Sequence, residues 1–227
     1  MMRSEQRRGK QIEPRLTESE VIAIKVGAKE PAGGANVPPS SGRFITVQVY
    51  TVDVNGSRAG PAAGAKVRIG NTVYTADREG VVKARAGFGE LEVEILETRL
   101  GEWRRYTFWK WCDGSTDNPR RCTAKDSELT ACVYDERLVK VAWEPDNAGH
   151  VKVNEARVSN GWAAWFKYGA RLKLETVESG GWRFEKWLRC AGGEALSEWG
   201  AQKPVEITVK DGYEFKAIFA PARARRD

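Results

Sequence analysis

Histidine is almost absent from this sequence. His150 stands alone, in "DNAGHVKV", a turn leading into a strand. No Ser or Cys nucleophile motif accompanies it, and there is no G-x-S-x-G, no G-x-x-x-x-G-K and no metal-ligand cluster. Nothing therefore supplies a general base, a phosphate cradle or a metal centre. The four cysteines, Cys112, Cys122, Cys132 and Cys190, contain no C-x-x-C pair. With one histidine, that argues against structural zinc. No apolar run approaches the ~20 residues of a membrane span. The start, "MMRSEQRRGK", is charged and has no apolar segment behind it, so no secretory signal is read there. The expectation is a protein with no catalysis, no cofactor and no membrane span.

Charge is present but dispersed. The net value is +6. Residues 1–42 carry seven Lys/Arg against five Glu, and the last eight residues three Arg against one Asp. The remainder is left almost balanced. A nucleic-acid binder concentrates positive charge on a folded face, so the distribution argues against nucleic acid; a virion protein using the Arg-rich tail of 222–227 is the exception kept open. Charged residues at 30% with a single His lean toward a thermophile.

Gly and Pro punctuate the chain every ten residues or so, and the segments between them alternate. "FITVQVYTVDV", "AKVRIG", "ELEVEIL", "HVKVNEARV", "ARLKLETV" and "VEITVKD" place Val, Ile and Leu on one face and polar residues on the other. That is the period of a half-buried strand. No segment carries a helical stripe. The pattern predicts an all-β sandwich or barrel.

The chain also repeats itself. "CTAKDSELTACVYDE" lies over "ITVKDGYEFKAIFAP" at a displacement of 85, pairing Cys122 with Ile207, Cys132 with Ala217 and Tyr134 with Phe219. Upstream, Phe108-x-Lys110-Trp111 lies over Phe184-x-Lys186-Trp187 at a displacement of 76, so the second copy holds nine extra residues in "AGGEALSEWGAQKP". The expected organisation is two tandem immunoglobulin-like β-sandwiches, 43–136 and 137–221. An extended N-terminal arm, 1–42, precedes them and a basic tail, 222–227, follows.

The order "YGxxLxLxT…GWRFxKW…PVxITVKD…FxAIF" resembles the internalin-type B-repeat of bacterial and archaeal surface proteins. The stretch from Val47 to Ile95 is similar to carboxypeptidase-regulatory sandwiches. Together the two cover nearly all of 43–221. The resemblance implies non-catalytic parts of stalks and adhesins.

Aromatic rings that recur in both copies are expected in the core: Phe108, Trp111 and Tyr134 in the first, Phe184, Trp187 and Phe219 in the second. Trp109 is different, because its counterpart is Glu185, and it is expected to face outward. With Trp162, Trp165 and Trp199 it forms a candidate exposed interface. Cys122 and Cys132 fall at apolar positions of the copy, so both are expected to point inward. Cys112, Cys122 and Cys132 are the disulfide candidates, the pairing of Cys122 with Cys132 or Cys112 being plausible.

Within the arm, Val21, Ile22, Ala23, Ile24, Lys25 and Val26 make a strand (20–27), followed by a Pro/Gly/Ser linker, 29–42. At ~3.3 Å per residue the linker reaches about 45 Å. A strand on such a tether can add to another subunit's open sheet edge, and a head-to-tail contact of that kind generates a filament. The functional reading is a self-polymerising structural protein of an extracellular filament or a virion. The missing leader favours the virion. The alternative is an adhesin-like module that recognises a glycan or host receptor through its exposed aromatics.

Overall fold

The computed structural model describes residues 43–87, 89–123 and 125–222. The candidate donor strand 20–27, the linker 29–42 and the residues from 223 onward lie outside them. By its internal contacts the chain divides into Met1–Ser40 and Ser41–Asp227, and the fold below belongs to the second unit.

Eighteen strands and one 3-10 turn account for the regular structure among the described residues. In order they are β1 (Arg43–Val52), β2 (Arg58–Pro61), β3 (Lys66–Ile69), β4 (Thr72–Thr75), β5 (Val81–Ala86) and β6 (Leu91–Leu96). Next come β7 (Thr98–Arg99), β8 (Arg104–Trp111), β9 (Arg120–Cys122) and β10 (Glu128–Glu144). After the turn Asp146–Ala148 follow β11 (Gly149–Val153), β12 (Ala156–Arg157), β13 (Trp162–Lys167) and β14 (Arg171–Glu178). The chain closes with β15 (Trp182–Ala191), β16 (Ser197–Gly200), β17 (Val205–Thr208) and β18 (Tyr213–Pro221). The fold is all-β, as the period-two pattern predicts.

Two sandwiches share one strand. In the first, β1, β5, the first half of β10 and β8 form a sheet facing β4-β3-β6-β9. In the second, β13, the last part of β10, β18, β15 and β16 face β12-β11-β14-β17. Each sandwich holds a parallel pair, β1 with β10 and β10 with β18. Strand β10, 17 residues long, is thus the last strand of one sandwich and the first of the next. Its odd positions point inward from Leu129 to Trp143 without a break. The apolar ones enter two separate cores, Leu129, Ala131 and Val133 in the first and Val139, Val141 and Trp143 in the second. The hand-over near 136 and 137 falls inside a continuous strand, where pairing with β8 ends at Arg137 and pairing with β18 begins at Val139.

The F-x-K-W signature is a bulge. Phe and Trp three residues apart on a regular strand would face opposite sides. Here Phe108 pairs with Val133 and Lys110 with Cys132, leaving Trp109 as the extra residue; Phe184 and Lys186 leave Glu185 in the same way. The bulge resets the alternation, so both rings of each pair turn inward, at 5.7 and 5.5 Å between centroids. Trp111 and Trp187 are wholly buried, and their indole N–H groups donate to Asp117 O (2.6 Å) and Gln202 O (3.1 Å). Phe184 and Phe219 are buried, and Phe108 packs half-buried against the first core.

Tyr134 departs from the sequence alignment. Ala131 pairs with Trp111 and Ala217 with Trp187, so the displacement along β10 and β18 is 86 rather than 85. A one-residue slip turns every side chain to the other face. The true counterpart of Phe219 is Val133, and Tyr134 lies on the outer face, 5.3 Å from the Trp109 ring. The same slip corrects Cys132, which is buried on the outer side of its sheet, opposite Ala131. Cys122 keeps the displacement of 85 and lies in the first core.

Candidate functional site: the joint between the sandwiches

The place where β10 passes from one core to the next is built from charge. Its two inward positions there are Asp135 and Arg137, each 8% exposed. Arg104, at the start of β8, donates to Asp135 through Nε (3.0 Å) and Nη2 (2.9 Å), and to the Tyr106 hydroxyl oxygen (2.9 Å). Arg137 donates to both carboxylate oxygens, at 3.2 Å through Nη2 and more closely through Nη1. Its Nε reaches the carbonyl of Lys210 at 3.5 Å, and its guanidinium stacks 5.6 Å from the Tyr168 ring. One carboxylate is thereby shared by two guanidiniums, the buried ion pair that needs every donor matched. Burial pushes the Tyr106 hydroxyl above its ordinary range and keeps it neutral, while Arg104 offsets part of that effect.

Backbone bonds fasten both flanks. Leu138 N donates to Trp103 O at 3.0 Å and Tyr168 N to Asp135 O at 2.7 Å. Val54, from the hairpin after β1, donates to Tyr168 O at 3.2 Å. Trp103 lies against the β17–β18 turn so tightly that a Cβ on Gly212 would sit 2.5 Å from the Trp103 Cβ, and one on Gly193 2.9 Å from the indole nitrogen. Lys140 pairs with Glu102 at 2.6 Å and lies 4.4 Å over the Trp103 ring. A single strand, a buried ion cluster and two fastened flanks leave no hinge.

None of the four tryptophans expected at an exposed interface offers an open ring face. Trp109 is half-buried, stacked on Tyr134 and covered by Lys110 Nζ at 4.3 Å; a Cβ on Gly56 would meet its ring at 2.6 Å. Trp162 packs on the second core with Phe166, 6.0 Å away. Trp165 lies under Arg105 (4.6 Å) and Arg99 (5.9 Å). Trp199 packs on Phe215 at 5.4 Å under Arg189. The expectation of exposure failed because each indole is amphipathic and finds a core contact on one side and a cation on the other. The large apolar side chains that are exposed are Phe44, Val54, Val73 and Leu196.

All four cysteines are free thiols. Cys112 and Cys132 meet on the outer face with their sulfurs 2.9 Å apart. Cys122 is across the sandwich, its sulfur 3.8 Å from Arg120 O, so its pairing with Cys112 or Cys132 is corrected: the bridge would have to cross a packed core. Burial, followed by the neighbouring Cys112, pushes the Cys132 thiol up to about 12. Among the described residues no group of three or more His, Cys, Asp and Glu could hold a metal, and no helix is long and apolar enough to cross a membrane.

No family model matches this sequence, and no curated protein matches it. The B-repeat and carboxypeptidase-regulatory resemblances are therefore not shown. Among solved structures the chain is similar to the shaft pilin SpaA of Lactobacillus rhamnosus GG, at 8% identity and a TM-score of 0.31, over 81% of this chain and 99% of that one. The major pilin T-13 of Streptococcus pyogenes serotype GAS131465 aligns at 7% identity and 0.30, over 81% and 98%. A streptococcal ancillary pilin aligns at 11% and 0.28, over 81% and 64%. Likenesses this weak carry no argument about function.

Proposed function

We propose that this chain is a non-enzymatic structural protein, a stiff two-domain subunit of an extracellular or virion-associated filament. Subunits join head to tail when the strand Val21 to Val26 of one adds to a sheet edge of the next. The observation that carries the reading is β10, one strand running through both sandwiches with its inward charges matched at the crossing. A binding module has no need of a joint that cannot bend, whereas a filament transmits tension through every one. Open edges exist to receive a strand: among the described residues, β8 from Thr107 to Lys110 has a strand partner on one side only. The glycan-binding alternative needs bare ring faces at Trp109, Trp162, Trp165 and Trp199, and all four are covered.

Electron microscopy of the full chain over a range of concentrations tests the proposal, with a variant lacking residues 1–30 beside it. The expected result is fibres from the full chain and particles of single subunits from the shortened one. Fibres from both would end the strand-addition mechanism. A full chain that remains monomeric would end the filament reading.

A further inference from the structure

The internal repeat carries the joint to a second place in the molecule. Val47 pairs with Leu129 and Val82, as Val141 pairs with Phe215 and Trp162. Counting back four residues along the same strands places Arg43, at the start of β1, on the position of Arg137. Both reach the carbonyls of a Thr-x-Lys-Asp turn, Arg43 Nη1 to Asp126 O at 3.3 Å and Arg137 Nε to Lys210 O at 3.5 Å. They differ in one respect. The remaining donors of Arg137 are taken up by Asp135 of the preceding sandwich, while Arg43 Nε and Nη2 are buried with no partner. A guanidinium binds through fixed planar donors, and buried donors left unmatched are costly. The pole of the first sandwich holds one half of a joint.

We propose that this pole, centred on Arg43, seats the opposite pole of a second copy of this chain, repeating between subunits the contact that β10 makes within one. This rests on the filament reading and deepens it by naming the surface. The incoming pole is the far end of the second sandwich, where β14 and β18 finish. It holds the carboxylates of Glu144, Asp146 and Glu178. Glu144 and Glu178 are paired with Lys216 and Lys203, but Asp146 is exposed and has no cation partner among the described residues. A pole with unspent guanidinium donors and a pole with an unspent carboxylate are complementary. Because the chain upstream of Arg43 enters the fold at the same pole, the arm and the seat act at a single contact, the arm supplying reach and the seat orientation.

The test is Arg43→Met in the full chain, which keeps the aliphatic stem and removes the donors. Sedimentation over a concentration series gives the critical concentration for assembly, and thermal melting is followed under dilute, monomeric conditions. The expected result is a critical concentration at least tenfold higher with a melting temperature equal to or above that of the parent. A merely structural arginine would lower both. Carbodiimide coupling of Lys125 to Asp146 or Glu178, tracked by mass spectrometry in filaments of mixed 14N and 15N subunits, is expected to give hybrid crosslinks in the parent. Parent filaments that Arg43→Met matches at every concentration overturn the seat and leave the filament reading standing. So does a variant that melts several degrees lower. A parent that never associates overturns both.

Discussion

Replacing Asp135 with Asn removes the one anion of the joint and keeps its shape. Arg137, 8% exposed, would then lie beside Arg104 with no counter-charge. Breaking a buried pair from one side costs about 3–5 kcal/mol. The lower end applies here, because the Arg104 side chain is 39% exposed and water can screen it. For a chain of this length, about 3 kcal/mol corresponds to roughly 6–12 °C in Tm. The shape of the transition is as informative as its position. Sharing β10 should make both sandwiches of the parent melt as one unit by calorimetry, and Asp135→Asn should split that transition in two. The double variant Asp135→Leu with Arg137→Met replaces the pair by apolar groups and is expected to recover most of the loss, since an apolar pair of similar volume often stands in for buried charge. A single transition within about 2 °C of the parent for Asp135→Asn would refute the joint as a source of coupling.

Three further outcomes follow from named contacts. Gly212→Ala drives a Cβ against the Trp103 Cβ, an atom that cannot swing away, and should destabilise by about 1–3 kcal/mol; urea melts with an unchanged slope check it. Cys112, the exposed thiol, should be alkylated first in the native protein and the three buried thiols only after denaturation. With a small disulfide as oxidant, peptide mapping should find the Cys112–Cys132 bridge, each new S–S bond releasing two protons and reducing the oxidant to two thiols. Asp126 is held below the usual carboxylate range by the Thr123 backbone N–H first and the Thr123 hydroxyl second. Its folded pKa is depressed, so its contribution is present above the unfolded carboxylate pKa, ~4, and is lost as pH falls through the folded value. Asp126→Asn should flatten the acid limb of a Tm-against-pH curve.

The strands were legible because a half-buried sheet writes its burial into alternate residues, and that signal is local. The same locality limits it. Strand β10 alternates without interruption from Leu129 to Trp143, yet two of its inward positions are Asp135 and Arg137, and charge at inward positions reads as the end of a core. It was the end of one core and the beginning of another, with no turn between them. Parity alone distinguishes a boundary made by a loop from one made by matched charge, since a loop would have reset the alternation. The alignment of the copies went wrong for the complementary reason. An insertion of one residue between β17 and β18 leaves Thr-x-Lys-Asp in place and shifts everything after it, and identity of residue types cannot register a slip that inverts facing. Tyr134 and Cys132 were therefore read into the core. What sequence could not supply at all was the unmatched state of Arg43. Its likeness to Arg137 appears only after the strands are paired, and the missing carboxylate matters only because the repeat shows where one belongs.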